Sequence, residues 1–356
     1  MEPTPSPPRN VVLCFDGTSA EPEVSYTNVA RLFSMLEHSE RQLTYYDPGV
    51  GTLGSSAALT RLGSRLTQIA GVLGGHGIRQ NIAEAYLYLS HHYQPGDRIY
   101  LFGLSRGAYT ARALSGLLHT LGLLRPGADN LVPYALKLYT RNPPQSATNE
   151  DSTAYWTAVE RFRTMFSQPQ FPPPHSDQVH FMGLWDTVKS LGPLNVKERF
   201  TEVRWPYTST ITNVAHARHA LALDECRRVF APLRFSSRLT AHDGDFQEMW
   251  FRGVHSDIGG GRNGEDGYRL PDIPLAWILQ EAHAQGLHIN QPECERLLGI
   301  GPTDPIPSFW AECEFTPNHW AWALIGGAKK RKERVGDLRH PLAQSTPHMP
   351  QNATSM

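Results

Sequence analysis

Residues 97–112, from Asp97 to Arg112, read DRIYLFGLSRGAYTAR. Ile99, Tyr100, Leu101 and Phe102 form a short apolar, β-favouring run entered through the turn Gln94-Pro95-Gly96-Asp97. Gly103-Leu104-Ser105-Arg106-Gly107 follows at once, and Ala108 to Leu124 predicts a helix with small residues near its start. Strand, G-x-S-x-G and helix, in that order, is the context of a nucleophile elbow. A serine in so sharp a turn sits on a strained backbone, and its neighbours two residues away on either side must be nearly free of side chain. Both are glycine. Ser105 is therefore the candidate nucleophile, with the N–H of Arg106 and the helix N-terminus beneath it for a developing oxyanion. The competing reading is a glycine-rich turn whose serine only caps the helix.

Outward from this block, strands and helices alternate. On the N-terminal side, Asn10 to Phe15 (NVVLCF) is a continuous apolar strand suited to a parallel sheet, ending in Asp16-Gly17-Thr18. Thr27-Asn28 opens a helix carrying Val29, Leu32, Phe33 and Leu36, and Leu43 to Tyr46 is a second strand. Residues 51–75 read as a loop with a helical piece, and Gly77 to Tyr93 as an amphipathic helix with Ile78, Ile82, Ala85, Tyr86 and Leu89 on one face. On the C-terminal side, helical stretches around 130–140 and 151–166, closed by Pro172-Pro173-Pro174, leave the sheet. Gln178 to Trp185 returns to it. Residues 189–210 leave it again, Asn213 to Leu223 is expected to be helical, Gln247 to Val254 a strand and Pro274 to Gln285 a helix. The expected fold is α/β: an α/β-hydrolase fold, a mostly parallel doubly wound sheet with helical insertions forming a lid. The expected organisation is a disordered stretch over 1–9, a catalytic domain over 10–285 with its lid at about 126–174, an extension over 286–341 packed on the core, and a disordered tail over 342–356.

The 356 residues are 40% hydrophobic and include eight Trp, enough for a sizeable core. A formal net charge of −1 argues against nucleic-acid binding. Cys14, Cys226, Cys294 and Cys313 form no C-x-x-C pair and fit a reducing compartment. Residues 1–9 lack the apolar region of a secretory signal and no stretch is long and apolar enough to span a membrane, so a cytoplasmic chain is expected, with signal-less export left open. The run Lys329-Lys330-Arg331-Lys332-Glu333-Arg334, near Trp310, Trp320 and Trp322, reads as a solvated helix end or as a peripheral contact with anionic headgroups.

A serine hydroxyl needs a base to take its proton and an acid to orient that base. Asp186 directly follows the strand 178–185 and His255 the strand 247–254, so the order Ser105, Asp186, His255 is that of an α/β hydrolase. Asp257, two residues beyond His255 and followed by three glycines after Ile258, is the rival acid. The N–H of Gly17 or Thr18 would complete the oxyanion hole opposite Arg106. Asp16 and Asn28 are structural or bind substrate. Asp16 and Asp257 could alternatively hold a metal for phosphoester hydrolysis. A haloacid-dehalogenase reading of Asp16-Gly17-Thr18 fails because Cys14 stands where that signature needs an aspartate. No cofactor is expected.

The motifs FDGT (15–18), TNVARL (27–32), YYDPGVGT (45–52), PGDRIYLFGLSRGAYTAR (95–112), GLWDTV (183–188), ARHALALDECR (217–227) and WFRGVHSDIGGG (250–261) together resemble the DUF2235 family of α/β hydrolases, the group of Tle1-like type VI secretion phospholipase effectors. The resemblance implies Ser105, Asp186 and His255 as a triad and an ester or phospholipid as substrate. A small soluble ester as substrate, and a catalytically silent binding protein on the same fold, stay open, as does the oligomeric state.

Overall fold

In the computed structural model, residues 8–17, 26–49, 76–141, 148–188, 205–237, 239, 244–261, 269–313 and 329–343 are described. The expectations for Thr18, residues 51–75, most of 189–210, Trp320, Trp322 and the tail beyond 343 lie outside them.

Among the described residues, β1 (Asn10–Phe15), β2 (Gln42–Asp47), β3 (Arg98–Leu104), β4 (Val179–Trp185), β5 (Val214–Ala222), β6 (Asp245–Phe251) and β7 (Leu338–Arg339) form one seven-stranded sheet ordered β2-β1-β3-β4-β5-β6-β7. Every neighbouring pair is parallel. A parallel sheet needs cover on both faces, which is why β1 and β3 are continuous apolar runs, buried from Asn10 to Phe15 and from Ile99 to Leu104.

The cover comes from two groups of helices. On one face, α1 (Asn28–Met35), α7 (Asp272–Ala284) and α8 (Gln291–Leu298) pack with Phe102, Phe181 and Trp185 of the sheet. On the other, α2 (His76–His92), α3 (Arg106–Leu121), α4 (Val132–Thr140) and α5 (Asn149–Phe166) pack with Leu13, Leu101 and Met182. The predicted face of α2 is the buried one: Ile78, Ile82, Ala85, Tyr86 and Leu89. Helix α3 is buried at every position from Gly107 to Leu121, because α2, α4 and α5 cover the side turned away from the sheet. The apolar faces of α4 and α5, including Leu136, Tyr139, Val159 and Phe162, thus rest on α2 and α3.

Three expectations are corrected. Residues 213–223 are not a helix but strand β5, paired with both β4 and β6. The sequence VAHARHALA is rich in good helix formers, and burial between two strands overrides that preference. Strand β6 ends at Phe251 rather than Val254; Gly253, at φ +100°, turns the chain so that His255 opens the short helix α6 (His255–Gly259). The basic run 329–334 is neither helical nor wholly solvated. It has no regular secondary structure, leads through a turn into β7, and has the Arg331 side chain only 4% exposed.

Candidate active site

Strand order reverses between β1 and β3: the chain goes from β1 outward to β2, then crosses back to the other side of β1. Ligands in open α/β sheets bind beyond the carboxyl ends of the strands at such a point. Gly17, just past the end of β1, and Ser105, just past β3, meet there: a Cβ on Gly17 would stand 3.8 Å from the Cβ of Ser105.

The elbow at Ser105 has the strain its sequence requires, with φ 58° and ψ −115°. Both flanking glycines are forced by packing. A Cβ on Gly103 would lie 2.6 Å from the backbone of Ala108, and one on Gly107 would overlap the Phe15 carbonyl oxygen. Helix α3 can therefore drop directly against β1 and β3. The Ser105 N–H donates to the Trp185 carbonyl at 2.9 Å, which locks the elbow to the end of β4. Arg106 is the first residue of α3, and burial lowers its guanidinium from the ordinary value.

Asp186 follows β4 and also has a positive φ, 41°. Ser105, His175, Asp186 and Tyr207 are the non-glycine residues with that conformation among those described, and two of these four sit at adjacent strand ends. The fully buried Asp186 accepts from His255 Nδ1 through Oδ2 at 2.5 Å and from the Ala222 N–H through Oδ1 at 3.1 Å. The imidazole's other nitrogen, Nε2, is thereby directed away from the carboxylate. Asp257 does not share this role. Its Oδ2 accepts the Val254 N–H at 2.9 Å, three residues back in its own loop, and its carboxylate fills the space a Gly253 side chain would need.

The remaining sequence candidates hold the rim together. Asp16 accepts from the Gly17 N–H at 2.5 Å, the Thr27 hydroxyl at 2.5 Å and the Tyr46 hydroxyl at 2.7 Å; burial raises its carboxyl from the ordinary value against the pull of those donors. The Gly17 N–H proposed for the oxyanion is thus engaged by Asp16. Asn28 is buried and donates to the carbonyls of Ile258 and Pro271 at 2.9 and 2.8 Å, tying α1 to α6 and α7. Among the described residues no group of three or more His, Cys, Asp or Glu side chains is placed to hold a metal ion.

Other residues around His255 carried no role in the sequence reading. Glu225 is buried, accepts the His255 N–H at 3.2 Å and is clamped by Arg227 through two contacts of 2.9 and 2.6 Å. Phe230 packs on the imidazole with ring centres 4.8 Å apart, and the Arg227 guanidinium lies over the same Phe230 ring, 4.0 Å from its centre. Behind Asp186, the Thr187 N–H donates to His219 Nε2 at 3.1 Å, which leaves Nδ1 to donate to Glu248 at 2.8 Å. The block DECR (224–227), with both signs of charge within four residues, is the local signal from which Glu225 and Arg227 could have been found.

The chain is 36% identical over 236 residues to "Uncharacterized protein YEL023C" of Saccharomyces cerevisiae (strain ATCC 204508 / S288c), a match that covers 64% of this chain and 33% of that protein. The chain thus spans about a third of the length of this curated relative. Two solved structures are similar: "Structure of the Tle1 effector bound to the VgrG spike from the Type 6 secretion system" (17% identity, 73% of this chain and 52% of that one, TM-score 0.39), and "Crystal structure of an uncharacterized protein from Pseudomonas aeruginosa" (19%, 79% and 46%, TM-score 0.45). A family profile covers residues 9–281, from the residue before β1 to the last turns of α7, and so takes in the elbow, Asp186 and His255. The chain belongs to the family described as "T6SS, Phospholipase effector Tle1-like, catalytic domain".

Proposed function

We propose that the protein is a serine hydrolase that cleaves carboxylic esters, with phospholipid acyl esters as the favoured substrate class, through an acyl-enzyme. The observation that carries the proposal is the His255 Nδ1 bond to the buried Asp186, which follows β4, the neighbour of the strand β3 that ends in the strained elbow of Ser105. Asp186 fixes the tautomer, so that Nε2 is the nitrogen able to take a proton. His255 removes the proton of Ser105 as its oxygen attacks the ester carbonyl, then returns it to the leaving alcohol; water repeats the cycle on the acyl-enzyme.

The tetrahedral oxyanion is stabilised at the N-terminus of α3, with the Arg106 N–H as primary donor. For Gly17 to add a second donor, its N–H must swing from the Asp16 carboxylate toward the substrate oxygen. Membership of a phospholipase effector family favours a phospholipid acyl ester as substrate.

The test is labelling with a fluorophosphonate probe, followed by turnover of p-nitrophenyl esters of increasing chain length and of phospholipid vesicles. Labelling at Ser105 that heat and S105A abolish, with loss of ester turnover on the order of 10⁶-fold in S105A, is expected. Turnover that survives S105A and falls with a chelator would overturn the reading.

A further inference from the structure

The mechanism above uses one end of the Asp186 carboxylate. The other end is taken by a residue more than a hundred positions away, beyond the span of the family profile. Arg331 Nη1 donates to Asp186 Oδ1 at 2.5 Å and Nη2 to Oδ2 at 2.9 Å, a two-pronged pair with side chains 4% and 0% exposed. The same two nitrogens donate to the carbonyls of Ala222 (2.9 Å) and Phe230 (2.6 Å). The guanidinium therefore touches the end of β5, the loop carrying the Phe230 ring that packs on His255, and the acid itself.

We propose that Arg331 is a positioning residue of the active site: it holds the Asp186 carboxylate ionised and in the orientation that accepts from His255 Nδ1. The inference rests on the hydrolase reading. A carboxylate with no solvent exposure is costly to keep charged, and a forked guanidinium contact supplies both the compensating charge and a fixed plane. Burial pushes the Asp186 carboxyl up; Arg331 and His255 more than reverse this and hold it well below the usual range. Arg331 is itself anchored from both sides. The Lys329 N–H donates to the Cys226 carbonyl at 2.7 Å, the Arg334 N–H to Asp337 at 2.7 Å, and β7 follows beside β6.

Among the described residues, the groups facing Asp186 are thus Arg331 from the C-terminal segment, His255 from α6, and from β5 the Ala222 N–H and the buried His219 imidazole, which Glu248 pairs. Without Arg331, the buried carboxyl titrates at higher pH, and once protonated it no longer orients the imidazole as an anion does. R331M should lower kcat/KM about 100-fold, mainly in kcat, and move the acid limb of the kcat/KM–pH profile to higher pH. R331K, which restores charge without the fork, should return the acid limb and only part of kcat.

Far-downfield proton NMR of the His255 Nδ1–H gives a second readout in the full chain: the signal should persist to lower pH in wild type and R331K than in R331M. An R331M that keeps kcat/KM within about twofold, with an unmoved acid limb and an unchanged downfield proton, overturns the proposal. Loss of kcat with an unmoved limb and an unchanged proton also overturns it, leaving a packing role alone. If wild type neither hydrolyses esters nor labels at Ser105, the hydrolase reading fails instead, and the NMR comparison still decides whether Arg331 holds the pair.

Discussion

Four donors converge on Asp186: the Ala222 N–H, two guanidinium N–H groups and His255 Nδ1. Replacing it with Asn keeps the shape but removes the charge and sets an amide N–H₂ against donors whichever way the amide is turned. D186N should therefore reduce kcat on the order of 10⁴-fold, because the imidazole loses the partner that fixes its tautomer. It should also lower the thermal midpoint, since Arg331 is left buried without a counter-ion, at a cost of about 3–5 kcal/mol. Steady-state kinetics beside a calorimetric melt checks both halves. At this scale the sequence was informative where chemistry is local. Ser105, with Gly103 and Gly107, could be read directly, because the elbow needs only five consecutive residues to show its steric logic. Asp186 against Asp257 could not be decided that way, since both stand in polar turns after apolar strands.

At the level of elements, the close approach of α3 to β1 is the tightest constraint on the fold. Gly107 lies where any side chain would meet the carbonyl oxygens of Phe15 and Asp16. G107A should push α3 off the sheet and destabilise the protein by about 1–3 kcal/mol. It should also reduce labelling at Ser105 more than that loss of stability explains, because the elbow moves with the helix. Denaturant titration and probe labelling in the native baseline separate the two effects. Strand β5 shows the opposite case: its composition favours a helix, yet pairing on both sides makes it the centre of the β4–β6 region. Its His219 joins Glu248 of β6, which also accepts from Arg234 at 2.8 Å and the Phe235 N–H at 2.9 Å. Burial would raise the Glu248 carboxyl, but these partners bring it down to about 2 from an ordinary 4.5. A carboxylate depressed on folding stabilises the native state above its unfolded value, and that share disappears as pH falls from about 4.5 to about 2. E248Q should lower stability at neutral pH and flatten the slope of stability against pH across that window, measured by urea midpoints.

Over the whole molecule, the C-terminal segment works as a strap across the sheet edge. Asp337 takes both terminal nitrogens of Arg234 at 2.7 Å, the Trp250 indole N–H at 2.8 Å and the Arg334 N–H at 2.7 Å. D337A should cost about 1–3 kcal/mol, because Arg234 keeps Glu248 but its terminal nitrogens and the Trp250 indole lose their acceptor, and it should speed hydrogen exchange along β6. Because the same strap delivers Arg331 to Asp186, the variant should also lose activity in proportion to the fraction of molecules in which the strap is released. The sequence by itself determined most of the alternating strands and helices, the elbow, and the strand end that carries Asp186. Apolar periodicity and glycine sterics act within a few residues and leave their mark in the order of the chain. Only the tertiary structure decided that β5 is a strand, that Asp186 rather than Asp257 reaches His255, and that a basic run expected in solvent sends Arg331 into the core. Those outcomes depend on which strands become neighbours and on where a buried charge finds its counter-charge, 145 residues away for Arg331 and Asp186.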